Sequence, residues 1–104
     1  MQIVFTNPAR QALKDICDYY KNNGYDTYAV KLRKNIFAKV KQLNEHPERG
    51  ALEPHLVVLG KGHRYLLEDH FKIIYRVIGQ IVYITDVFDT KQNPNKLPAR
   101  NQKI

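Results

Sequence analysis

The stretch Phe71-Lys72-Ile73-Ile74-Tyr75-Arg76-Val77-Ile78-Gly79-Gln80-Ile81-Val82-Tyr83-Ile84-Thr85-Asp86-Val87-Phe88-Asp89 decides the fold. Both arms are rich in β-branched and aromatic residues. Gly79-Gln80 between them reads as a two-residue hairpin loop in which Gly supplies the positive φ. Such a loop fixes a register: Ile78 pairs with Ile81, Val77 with Val82, Arg76 with Tyr83, Tyr75 with Ile84, and so on to Lys72 opposite Val87. Cross-strand partners share a face, and alternate residues change face. One face then holds Phe71, Ile73, Tyr75, Val77, Val82, Ile84 and Phe88, and is the core side. The other holds Lys72, Ile74, Arg76, Ile78, Ile81, Tyr83, Thr85 and Val87.

Upstream, His63 to Leu67 is a further β-rich segment, joined to the hairpin through Glu68-Asp69-His70. A three-residue loop there puts Arg64 opposite Ile74, beside Lys72 and Arg76. A two-residue loop sends Arg64 to the core side, where an unpaired guanidinium is costly. The physics favours the first. Lys61 and His63 lie near the same edge, and Lys91 follows the last strand. The expected surface is basic, carries Tyr83, and suits a phosphate backbone or acidic side chains. Alternating charge also arises on any antiparallel sheet face that is simply wet.

The first half of the chain is helical apart from a short strand, Gln2 to Phe5. Asn7 is expected as an N-cap with Pro8 in the first helical position. Ala9, Ala12, Leu13, Ile16, Tyr19 and Tyr20 recur at spacings of three and four, until Asn22-Asn23-Gly24 stops the helix. A second helix is expected from Asp26 as its N-cap, with Ala29, Leu32, Ile36, Val40 and Leu43 on its stripe, Val30 and Phe37 widening it, and Pro47 ending it. So short a link between the helices predicts an antiparallel hairpin. Pro47 to Pro54 is a loop containing Gly50, Leu56 to Leu59 a short apolar run, and Gly60-Lys61-Gly62 a turn. The resulting fold class is α+β, in the order β-α-α-β-β-β, with a helical hairpin on one face of a small, mostly antiparallel sheet. Leu13, Ile16, Leu32 and Ile36 are expected to be buried against Ile73, Tyr75, Val77, Ile84 and Phe88. The other face is expected to stay partly open. A single domain over residues 1–90 and an irregular, polar, basic tail over 91–104 complete the expected layout.

Composition narrows the function. The 104 residues carry 17 Lys plus Arg against 10 Asp plus Glu, a formal net charge of +7. Residues 1–55 hold nine basic and six acidic groups and residues 56–104 hold eight and four, so the charge belongs to the folded body rather than to an arm. Such an excess fits a polyanionic partner, nucleic acid or acidic protein. Cys17, the only cysteine, forms no internal disulfide and reads as a packing residue, consistent with a reducing cytosol. No signal peptide pattern or membrane-length apolar run is present. His46, His55, His63 and His70 lack metal-ligand spacing, and no Gly-rich phosphate loop opens a helix. Asp86 and Asp89 read as strand-end caps or a salt bridge to Lys91.

The order of elements resembles the RelE/ParE superfamily of type II toxins, which includes plasmid stabilisation proteins, over nearly the whole chain. The segments that carry the likeness are Ala12-Leu13-Lys14-Asp15-Ile16 with Tyr19-Tyr20, Leu43 through Pro47 with Gly50, and His63-Arg64-Tyr65-Leu66. The most specific is Phe71 through Val77 followed by Ile81-Val82-Tyr83-Ile84 and Val87-Phe88-Asp89. The resemblance implies a bacterial toxin–antitoxin module, with an antitoxin wrapping the toxin. The ParE branch binds and poisons DNA gyrase without catalysis of its own. The RelE branch cuts mRNA in the ribosome by metal-independent attack of a 2′-OH on the adjacent phosphate, which needs a base, an acid and cations. The branch's motif places those cations at Lys72 and Lys91, with Arg64 a third. RelE-like toxins carry a Tyr or His in the tail; here none follows Tyr83, and Leu97 falls near that place. His63, His70 and Tyr83 are the remaining acid or base candidates. This gap favours the ParE-like reading, with Arg64, Lys72, Arg76, Tyr83, Lys61 and His63 as target-binding residues. No cofactor is expected. A basic nucleic-acid-binding module outside any toxin system is a third reading.

Overall fold

The computed structural model describes residues 1–103; Ile104 lies outside the described residues. The chain runs β1 (Gln2–Phe5), α1 (Asn7–Asn22), α2 (Asp26–Lys41), a 3-10 turn (Gln42–Asn44), β2 (Ala51–Leu52) and a 3-10 helix (Pro54–Leu59). It continues through β3 (Arg64–Glu68), β4 (Phe71–Ile78), β5 (Ile81–Asp89), a 3-10 turn (Pro94–Lys96) and α3 (Leu97–Arg100). The sheet order is β1-β5-β4-β3-β2, with β1 parallel to β5 and the other pairs antiparallel. The expected α+β architecture is present, with one strand more than expected: β2 forms within the Pro47–Pro54 loop.

Both helices begin one residue from the expected caps. Thr6, not Asn7, caps α1: its hydroxyl accepts from the Ala9 N–H at 3.3 Å and donates to the Ile84 carbonyl at 2.9 Å. The cap thereby fixes the helix to β5 as well. Tyr25 occupies the α2 cap position without a side-chain bond, and Asp26 sits in the first turn, where its charge complements the helix dipole. The helix stops at Lys41, ahead of Pro47, but Leu43 in the following 3-10 turn still reaches the core.

That core joins Ala9, Leu13 and Cys17 of α1 and Ala29, Leu32, Ile36 and Val40 of α2 to Phe71, Ile73, Tyr75, Val82, Ile84 and Val87 of the sheet. Ile16 is only half-buried, and Val30 and Phe37 are exposed. Tyr75 is fully enclosed; its hydroxyl donates to the Pro47 carbonyl at 2.7 Å and accepts from the Gly50 N–H at 2.8 Å. Gly50 lies so close to this ring that a Cβ there would stand 2.6 Å from the Tyr65 carbonyl and 2.7 Å from Tyr75. Only glycine fits.

The hairpin register is as expected from Ile78↔Ile81 to Tyr75↔Ile84, and then slips at a β-bulge that inserts Thr85. Beyond it Ile74 pairs with Asp86, Ile73 with Val87 and Lys72 with Phe88. A one-residue slip exchanges faces. Val87 therefore joins the helical core, and Phe88 turns to the opposite face. Val77, expected inside, is 36% exposed beyond the reach of the helices.

That opposite face is covered. Ile74 and Phe88 pack with Leu56 and Leu97 into a second, smaller core, flanked by Leu59 and Tyr65. The segment expected to be an irregular tail folds across the sheet, with Leu97 fully buried as its anchor.

Candidate functional site: divided cations and a groove between the helices

Of the cations expected on one surface, the structure separates several. The turn between β3 and β4 is the two-residue Asp69-His70, so Arg64 pairs with Tyr75 and faces the helical side. Asp69 adopts φ +54° to make this turn. The burial penalty that argued against this register is met by backbone oxygens: one Arg64 Nη donates to the Gly50 carbonyl at 2.7 Å and to that of Glu48 at 3.4 Å. Arg64 is a strut at the sheet edge, away from Lys72 and Arg76.

Lys72 does lie on the second face, but in an ion pair. Its Nζ donates to Glu53 Oε2 at 2.7 Å and sits 4.3 Å above the Tyr65 ring. Glu53 is 1% exposed, and its carboxylate also accepts from the His55 N–H and faces the His55 ring at 3.2 Å. Burial pushes the Glu53 pKa up, but the bonds from Lys72 and His55 outweigh it and hold the carboxyl below its usual range. Glu53 escaped the sequence reading because nothing in a Pro-flanked loop marks a buried acid.

Arg76 and Tyr83 are paired across the hairpin as expected, half-buried on the second face. His63 is enclosed there too. Burial first, and then the charges of Arg76 and Lys61, lower its pKa to about 4, so the ring is neutral near pH 7. Lys61 Nζ donates to the Gln102 carbonyl at 2.7 Å. Lys91 is exposed after β5, beside the Asp69-His70 turn: Thr90 N–H donates to the His70 carbonyl at 2.9 Å, and the Lys91 charge helps to lower the Asp69 pKa. Asp86, expected to cap a strand or meet Lys91, instead accepts a bidentate pair from Arg100 at 2.6 and 2.8 Å. Asn101 bridges Asp86 and Thr85. This clamp fastens α3 to β5. No cluster of His, Cys, Asp and Glu suited to a metal occurs among the described residues.

A second candidate surface was not singled out from sequence. Between α1 and α2 runs a groove of about 460 Å³ with Phe5, Leu13, Cys17 and Phe37 in its wall and Arg10, Lys14, Lys21 and Arg33 around it. Phe5 and Phe37 meet at 4.9 Å, and the Arg33 guanidinium lies 4.7 Å over the Phe37 ring. The groove continues past the 62%-exposed Val30 to Lys34. Lys14 is paired with Asp18 across one helical turn. The signal lay in Val30 and Phe37, apolar residues on the flank of the α2 stripe interleaved with Arg33 and Lys34. Apolar wall and cationic rim together suit an acidic amphipathic helix.

The model of the family described as ParE toxin of type II toxin-antitoxin system, parDE, matches residues 3–94. Among solved structures, a chain of the chromosomal ParDE TA system from P. aeruginosa matches with a TM-score of 0.71 and 30% sequence identity. The match covers 86% of this chain and 95% of that one. No curated protein sequence matches.

Proposed function

The chain belongs to the ParE toxin family of type II toxin–antitoxin systems, and on that footing we propose that it arrests bacterial growth from the cytoplasm by binding DNA gyrase while a cognate acidic antitoxin holds it silent. The observation that carries the binding reading, rather than RNA cutting, is the dispersal of the three cations a phosphoryl-transfer centre would gather. Lys72 is bound to Glu53, Arg64 turns to backbone carbonyls on the other face, and Lys91 stands beside Asp69. A scissile phosphate needs such charges preorganised around one point. Leu97, near the place where a tail Tyr or His would act, is instead the buried anchor of α3.

The antitoxin reading rests on the groove between α1 and α2. An amphipathic helix laid there would bury the exposed Val30 and Phe37, and acidic side chains would meet Arg10, Lys21, Arg33 and Lys34. Steering between opposite charges speeds association and makes it sensitive to salt. No helix among the described residues is long and apolar enough to cross a membrane.

Two assays run in parallel test the target. The purified protein is expected to inhibit gyrase supercoiling and to leave ribosome-bound mRNA intact. Cleavage of the mRNA with unchanged supercoiling would reverse the assignment. Unchanged growth on induction without antitoxin, with the protein accumulating, would remove the toxin reading altogether.

A further inference from the structure

Three buried polar atoms on the second face have no hydrogen-bond partner among the described residues: both ring nitrogens of His63 and Nε of Arg76. His63 is 2% exposed. The large majority of buried side-chain polar atoms are paired in native proteins, so three orphans on neighbouring side chains call for one explanation. Arg64 pairs with Tyr75, so His63, one residue earlier, comes level with Arg76, which stands opposite Tyr83. The charges acting on His63 are the cations Arg76 and Lys61. Among the described residues, the carboxylates of the same layer are engaged elsewhere, Glu53 with Lys72 and His55, Asp86 with Arg100 and Asn101. Arg76 Nε–H and the one N–H of the neutral His63 ring lack an acceptor, and the other ring nitrogen lacks a donor until it takes up a proton.

We propose that His63 and Arg76 form a closed oxyanion site, roofed by Gln102 and Lys103, which takes a phosphate or carboxylate group when the roof lifts. The course of the roof follows from its two sides. Asn101 and Lys103 border a groove beside Tyr83 on β5, and the Gln102 carbonyl is held by Lys61 just before β3. The strand order puts β4, which carries Arg76, between these two attachment points. Leu97 and the Asp86 clamp fix the chain up to Asn101, so the roof moves beyond a firm anchor. Arg76 Nε–H donates one bond to the incoming oxygen, and the imidazole donates another. A proton drawn onto His63 by the anion makes both ring nitrogens donors. The inference stands on the orphaned atoms and not on the gyrase reading, so each can fail without the other.

The test uses the full chain, labelled with ¹⁵N, at constant ionic strength set with chloride. Inorganic phosphate and acetate are titrated separately while the His63 ring and Arg76 Nε signals are followed by NMR. Saturable movement of both signals is expected, together with titration of His63 at higher pH in the presence of the anion. A response to phosphate alone assigns a tetrahedral oxyanion; a response to acetate assigns a carboxylate. Arg76→Gln is expected to weaken binding roughly ten- to a hundredfold, the usual weight of a hydrogen bond to a charged group. Arg76→Lys should retain part of the affinity, keeping the charge and losing the directed Nε–H. Stationary His63 and Arg76 signals in the unsubstituted protein, while exposed His46 and His55 drift, would overturn the site whether or not the variants fold.

Discussion

The two faces of the sheet are closed by different means. On the helical side, fourteen buried residues form a continuous apolar core. On the other side four buried apolar residues are supplemented by polar bonds: Glu53 with Lys72, Asp86 with Arg100, Thr85 with Asn101. A face closed chiefly by apolar packing tolerates changes of shape poorly. A face built from a small core and charged clamps depends on solution conditions, because its bonds titrate and its charges are screened. The difference teaches where this chain is rigid and where it is adjustable.

Tyr75→Ala strikes the rigid face hardest. Truncating an enclosed aromatic costs about 3–5 kcal/mol, against the roughly 5–15 kcal/mol a domain possesses. Little folded protein should be recovered, and a wild-type-like melting curve would break the distinction between the faces. On the clamped face, Lys72→Ala leaves Glu53 buried without its cation and is expected to cost about 3 kcal/mol. Adding Glu53→Gln should restore a large part of this, as denaturant titration of the single and double variants would reveal. Additive losses would mean that the pair is not a structural unit.

Acid sharpens the comparison further. His63 has its folded-state pKa lowered to about 4 from the usual 6.5, so the unfolded chain takes up a proton that the folded chain refuses. Stability is expected to fall by about 3 kcal/mol as pH drops from 6.5 to 4. Glu53, with its pKa depressed, gives up its contribution only as pH falls below the ordinary carboxylate range. His63→Phe should remove the first loss and leave the second, measured as the midpoint of urea unfolding against pH in buffers free of phosphate and carboxylate.

Leu97→Ala should cost about 2–3 kcal/mol, the lower part of the range for a buried leucine, since the second core is shallow. Proteolysis should then begin within the C-terminal segment while the helical core stays protected. The smallest change in stability is expected from Arg33→Glu at the groove, within about 0.5 kcal/mol. Its effect should appear as slower, less salt-sensitive association with an acidic antitoxin. A wild-type association rate would move the antitoxin off the groove.

Much of the helical side was legible because alternation and helical spacing record burial. The register from Ile78 to Tyr75 followed from one two-residue loop. The sequence also held a sign of the bulge, since Thr85-Asp86 places two polar residues side by side in an apolar arm, but a constant register carried the pairing past them. The clamped face was harder to read for a physical reason. Its partners are single side chains from distant segments, Glu53 for Lys72 and Arg100 for Asp86; on the helical side, too, the carbonyls that receive Arg64 come from the loop before β2 and leave no local pattern. The tail was judged by its prolines and polar residues, although one leucine suffices to dock it. Of the candidate site, the shared placement of Arg76 and Tyr83 followed from the hairpin, whereas the burial of His63 left no local trace.

The parallel pairing of β1 with β5 has a consequence in time. Gln2 to Phe5 find their partners only among Ile81 to Ile84, synthesised much later, and the Thr6 cap waits for the Ile84 carbonyl. The helical hairpin is complete long before, its apolar stripe facing no sheet. Contacts so distant along the chain slow folding. The nascent domain therefore stays unfinished until β5 has left the ribosome, and its interval of vulnerability to proteases and chaperones falls before then.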